Sequence, residues 1–283
     1  MTLLLRDVLQ TVRCWPIFSF YAVCTLVVAT IIGLITVDVI DLGMQHFGEE
    51  SHRTHDVAYG GLFTTLVVGV LVQLRRPAVN VAAMAMALVP PAALLLAGVL
   101  VNDVDRVFEF NPLRYAAAVA AVTALLHPAG RAFFRSFRPA SISWPLTAAT
   151  GVAAVPLLGF ASSSLELQRD VADVHVFMGH YGFMAALAFT IIATAGLASL
   201  RPVGWRLPAG VAGVLAAGLG ATSLLYPDAA SSLTTSWSLA SIAWAVTFVG
   251  LALRTADIDH PVTEDVDHRT PHRVPAVAVP GRD

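Results

Sequence analysis

Lysine is absent from this chain: all seventeen of its basic residues are arginine. Charge of either sign is scarce, at 13% of 283 residues, and cysteine occurs only twice. Each shortage excludes something. So few charges beside 57% hydrophobic residues and a mean hydropathy of +0.72 rule out a soluble globular domain. The arginines form short clusters rather than a basic stripe, which leaves nucleic-acid binding without support. No Walker loop, dinucleotide glycine fingerprint, Gly-x-Ser-x-Gly elbow or Cys-x-x-Cys pair occurs, so nucleotide hydrolysis and thiol redox chemistry have none either. Cys14 precedes the first apolar run and Cys24 lies within it, a placement that argues against a structural disulfide.

What the chain does have is apolar length. A helix needs roughly 20 apolar residues to cross a bilayer, and eight stretches approach or exceed that length: about 16–37, 57–74, 78–101, 113–127, 142–161, 176–199, 207–226 and 236–253. The first follows Arg6 and Arg13 but lacks a small-residue cleavage site, so it reads as an uncleaved helix rather than a signal peptide. With the N-terminus inside, thirteen arginines fall on cytoplasmic segments and four (Arg53, Arg106, Arg114 and Arg169) outside. That bias predicts an all-α, eight-span protein of a bacterial plasma membrane with both termini cytoplasmic. Beyond Arg254 the chain is rich in Pro, Asp and His without apolar periodicity, which predicts a disordered tail over 255–283. Its His260, His268 and His272 read as solvated.

The two halves of the chain align with each other. Trp15–Pro16 recurs at Trp144–Pro145 and His46 at His175, both at a shift of 129. After a four-residue contraction, His55 meets His180, Thr65 meets Thr190, Arg76–Pro77 meets Arg201–Pro202 and Asp103 meets Asp228, all at 125. These offsets predict a 4+4 parallel repeat, with a first unit over 1–140, a second over 141–254 and a pseudo-two-fold axis along the membrane normal. Equivalent residues would then lie around that axis at one face. The Ala- and Gly-rich spans 3 and 7 are expected at helix contacts, and Pro90–Pro91 and Pro156 are expected to kink their helices.

Chemistry concentrates in "GEESHRTHDVAYGG", residues 48–61. On a helix, Glu49, His52, His55, Asp56 and Tyr59 share a stripe roughly 100° wide, and polar groups at that depth face a bundle interior rather than lipid. In the second half Glu166, Asp170, Asp173, Phe177, His180 and Met184 share a face if one helix runs through them. His175 falls about 140° away from His180 on such a helix, so the two are not a helical i, i+4 chelate and a shared ligand needs other segments. His46, Glu50, Asp103, Asp105 and Glu109 are available for this.

Three chemistries suit the set. Glu49 and His52 have the Glu-x-x-His spacing of di-metal sites in helix bundles; paired histidines at helix ends can ligate haem iron; and a carboxylate–imidazole ladder suits a proton path. A plain reading also stands, in which the segment is a solvated loop whose acids complement the dipole of span 2. His127, before Pro128, reads as a helix-end residue.

With eight spans in two halves and Glu49-x-x-His52-Arg53 leading into the second, the chain resembles the haem A synthase family in topology and in that one motif. The resemblance implies a haem-binding membrane protein with a histidine pair in each half. The chain departs from the family in that span 8 holds no histidine, His127 falls on the cytoplasmic side and the outer loop lacks the cysteine pair.

The leading reading is metal or haem binding in a redox or assembly role. It takes His52, His55 and His180 as cofactor ligands, with Glu49, Asp56 and His175 in the wider metal set. The alternatives are a proton-coupled small-solute permease using His55, Asp56 and Tyr59, and a non-catalytic subunit of a membrane-protein partner or homo-oligomer.

Overall fold

The computed structural model describes residues 17–26, 53–104, 113–129, 142–169 and 174–255. Among them there is helix and no strand. In chain order the helices are α1 (Ile17–Leu26), α2 (Arg53–Leu71), α3 (Val81–Ala87), α4 (Val89–Leu100), α5 (Leu113–Leu125), α6 (Trp144–Gln168), α7 (Val174–Phe177), α8 (His180–Leu200), α9 (Arg206–Leu225) and α10 (Thr235–Arg254).

Among the described residues six segments are long and apolar enough to cross a membrane: Arg53–Leu74, Val81–Leu100, Trp144–Gln168, His180–Leu200, Arg206–Leu225 and Thr235–Arg254. The chain is therefore a multi-pass helical membrane protein set in a lipid bilayer. Helix is the form that satisfies every backbone N–H and C=O within the segment, which a hydrocarbon environment demands. Helices α1 and α5 are shorter; residues 27–37 of the first apolar stretch lie outside the described residues.

The proline expectation divides. Span 3 breaks at Leu88, with Pro90 and Pro91 in the first turn of α4, where proline's missing N–H interrupts no ladder of its own helix. Pro156 sits inside α6, which runs on through it as one helix.

Helix α8 is the centre of the bundle and packs against α2, α4, α6 and α9. Its buried face is built largely from small residues, including Ala185, Ala188, Ala195 and Ala198, which let backbones approach where lipid supplies no hydrophobic expulsion. Spans 3 and 7 lie at contacts as their composition predicts. Gly69 of α2 faces α3 so closely that a Cβ there would lie 2.6 Å from the Ala83 carbonyl oxygen, and one at Gly220 of α9 would lie 2.5 Å from that of Ser238 in α10. Helix α9 also reaches α2, tying the two halves of the chain together.

At the end of the bundle that carries Arg75, Arg76, Arg201 and Arg206, the turn after α2 meets the turn after α8. Gln73, fully buried, donates through Nε2 to the carbonyls of Gly69 and Asn80, both at 3.0 Å. Asn80 Nδ2 donates to Val72 and Arg76 carbonyls at 3.1 and 2.8 Å. Across the junction, the Ala82 amide donates to the Val203 carbonyl at 2.9 Å. Gly204, at φ 82°, passes so close to Val79 that a Cβ would lie 2.7 Å from its carbonyl oxygen.

Candidate metal centre

At the opposite end three histidines from three helices converge. His55 lies in the first turn of α2 and is 4% exposed; His175 lies in α7 and His180 opens α8, both half-buried. Each offers a ring nitrogen, and the three nitrogens lie within 4.8 Å of one another. Ring centroids are 5.0 Å apart for His55 and His180, 5.1 Å for His55 and His175 and 5.6 Å for His175 and His180. Tyr181, buried, sets its ring edge-on to His55 at 5.3 Å. Among the described residues this is the group of His, Cys, Asp and Glu side chains arranged to hold a metal ion.

The convergence depends on a break in the chain. A single helix carrying Glu166 through Met184 on one face does not form: α6 ends at Gln168, α7 is four residues long, and α8 begins at His180. Glu166 and Phe177 are exposed, while Asp170 and Asp173 lie outside the described residues. Gly179 adopts the left-handed conformation at φ 73°, which glycine takes at no steric cost. That reversal removes the 140° separation expected of an unbroken helix and brings His175 and His180 to the same point. The expectation that His175 faces away is corrected by this turn.

Two residues that sequence reasoning missed hold the arrangement. Gln168, 4% exposed, donates through Nε2 to the Val176 carbonyl at 2.8 Å, and its Oε1 accepts from the Gly182 amide at 3.0 Å. One side chain thus clamps both flanks of the His175–Tyr181 segment. Ser231, in the loop between α9 and α10, places its hydroxyl 3.1 Å from His55 Nε2. The signal for Gln168 was an uncharged polar residue closing an apolar helix; a serine in a loop carries none.

Of the other predicted site residues, Asp56 follows His55 in the first turn of α2 and is half-buried. Tyr59 packs on Phe63 at 4.6 Å and on Phe183 at 5.2 Å, and Phe183 in turn lies 5.9 Å from His180. Asp103 and Asp228 stand outside the histidine group. His46, Glu49, Glu50, His52, Asp105 and Glu109 lie outside the described residues.

His127 is placed at the arginine end, in the turn beyond α5, where its ring meets Phe20 edge-on at 5.6 Å. Its Nδ1 accepts from the Ala129 amide at 3.2 Å. Burial pushes its pKa down to about 4, against a smaller upward pull from a hydrogen bond with the Pro77 backbone.

Three imidazoles are a donor set for borderline transition metals, and three protein ligands leave a coordination position for water or substrate. Compared with protein-family models, curated proteins and solved structures, the chain finds no match. The class of protein is set by fold and site: a multi-pass helical membrane protein with a three-histidine cluster that could hold a metal.

Proposed function

We propose that this protein binds one transition-metal ion through His55, His175 and His180 at the outer face of a bacterial plasma membrane and uses it in a redox or assembly role. The observation that carries the reading is the approach of three imidazoles from three helices to within 4.8 Å at their ligand atoms. Imidazoles around a tetrahedral ion with metal–nitrogen bonds of about 2.0–2.1 Å have ring centroids about 5 Å apart, which is the spacing of these rings. Two axial histidines on opposite faces of a haem stand about 6 Å apart with a porphyrin between them; here three rings lie at 5.0, 5.1 and 5.6 Å from one another. The spacing therefore favours a bare ion over haem. Ser231, bonded to His55 Nε2, would leave Nδ1 as the ligand atom and fix the ring, as second-sphere partners of metal-bound histidines do.

The wider architecture in this reading is eight spans as a 4+4 repeat with both termini cytoplasmic. Its support is that His55 and His180, equivalent at an offset of 125, sit side by side, while the equivalent turns at Arg76–Pro77 and Arg201–Pro202 meet at the other end. The permease reading, with His55, Asp56 and Tyr59 as its path, is the weaker one, because it leaves the approach of His175 and His180 to His55 without a role.

The test is total metal content and visible spectrum of the detergent-purified protein beside its His55→Ala/His175→Ala/His180→Ala variant. Near-stoichiometric metal that the variant lacks is expected. Metal-free wild-type protein overturns the reading, and a Soret band replaces the bare ion with haem.

A further inference from the structure

Beside the histidine cluster lies a cavity of about 470 Å³, bounded by α6, α9, α10 and the loop that carries Ser231. Its α6 wall runs from Val152 to Leu167, an interval of fifteen residues or about 22 Å along the helix axis. The shape is long, and Phe160, Trp237 and Trp244 give it an aromatic lining. None of the residues around it is charged, so an ion entering it would lose its hydration without a partner. Three of its six hydroxyls are turned onto the protein's own backbone: Ser164 donates to the Phe160 carbonyl, Ser232 to Tyr226 and Ser241 to Ala216. Ser231 is different, since its partner is the His55 ring. Val152 and Trp237 at the rim are exposed, on two helices that are the least buried of the six long ones, so the cavity borders the lipid.

We propose that this cavity binds a neutral, membrane-soluble amphiphile with a carbonyl head group, a quinone or a compound of that kind, its chain along α6 and its head at Ser231. The head-group part rests on the metal reading above. If His55 Nδ1 binds the ion, Nε2 carries the proton and donates it to Ser231 Oγ, which frees the serine proton to point at an acceptor in the cavity. A carbonyl oxygen is such an acceptor, and two hydrogen bonds in series would then join ligand, Ser231 and the His55 ring that ligates the ion.

The probe is a decyl-substituted benzoquinone titrated into detergent-purified protein, with tryptophan quenching as the readout because Trp237 and Trp244 line the site. Two glycines of α6 supply matched variants: a Cβ at Gly159, which lines the cavity, meets nothing within 4 Å, and neither does one at Gly151, which does not line it. Saturable quenching is expected in wild type and Gly151→Phe, weakened about tenfold or more in Gly159→Phe, which removes the space for the chain. Ser231→Ala is expected to weaken it about threefold to tenfold by loss of one hydrogen bond. Non-saturable quenching, or equal quenching in both glycine variants, means partition into detergent or ordinary lipid contact and overturns the proposal. Full competition by decanoate overturns the neutral head group. Metal content measured on the same sample separates the two readings, since saturable binding to metal-free protein sinks the metal site and leaves the cavity standing.

Discussion

At the histidine end, imidazoles from α2, α7 and α8 turn toward one another, and Ser231 and Gln168 tie the site to the rest of the protein. At the arginine end buried Gln73 and half-buried Asn80 spend their side-chain donors on backbone carbonyls of the end of α2 and the turn that follows it. Each end has a buried glutamine with two hydrogen bonds to main chain, yet one braces a turn and the other braces a segment bearing ligands. His127 sharpens the contrast: the histidine at the arginine end lies against Phe20 and accepts from a backbone amide, that of Ala129. Residue type alone does not make a site; convergence of donors from separate helices does.

The largest effect that can break this comparison is loss of the ion. Replacing His55, His175 and His180 by alanine should abolish bound metal, whereas His127→Ala should leave it at the wild-type level, both read by elemental analysis. Equal loss in the two variants would remove the distinction between the ends.

Next come the glutamines. Gln168→Leu and Gln73→Leu each leave buried main-chain groups unsatisfied and should each lower stability by about 1–3 kcal/mol, measured by denaturation in detergent. Only Gln168→Leu should also weaken metal affinity, by about tenfold, since it alone frees the His175–Tyr181 segment. A comparable loss of affinity in Gln73→Leu would show that the clamp acts through general loosening.

A main-chain contact between α2 and α3 sets the background. Gly69→Ala forces a Cβ against α3 and should cost about 1–3 kcal/mol, while Gly60→Ala, with open space around it, should be neutral or slightly stabilising in the same melt.

A pH slope tests the arginine end by itself. His127 is held neutral, with its pKa down at about 4, so between the unfolded value near 6.5 and that level the unfolded chain binds more protons. Stability from this group is therefore complete above that window and falls as pH drops through it. Melting temperatures of wild type and His127→Gln between pH 7 and 4.5 should converge as pH falls; parallel curves would contradict the assignment.

Much of the membrane architecture was legible, because an apolar stretch near 20 residues long has few alternatives to a helix. A disturbance of span 3 near Pro90–Pro91 was expected as a kink, and the helix is interrupted at Leu88 just before them. His55, His175 and His180 were all named, but His175 was set on the wrong face. One glycine in an apolar run is compatible with a continuous helix, so nothing local announces that Gly179 turns left-handed. Ser231 was invisible for a different reason: it lies 176 residues from His55, and no pattern within a segment reports a partner that distant. Of the stripe from Glu49 to Tyr59, His55, Asp56 and Tyr59 stand on helix α2, and Glu49 and His52 lie outside the described residues.

The cluster draws His55 from the first half of the chain and His175 and His180 from the second. Neither half alone carries the full ligand set, so a bound ion reports that the halves have met. Were the gene divided after residue 140 and the two fragments made together in one cell, metal retained on the recovered pair would measure how well severed halves find each other in a bilayer, with no other label attached.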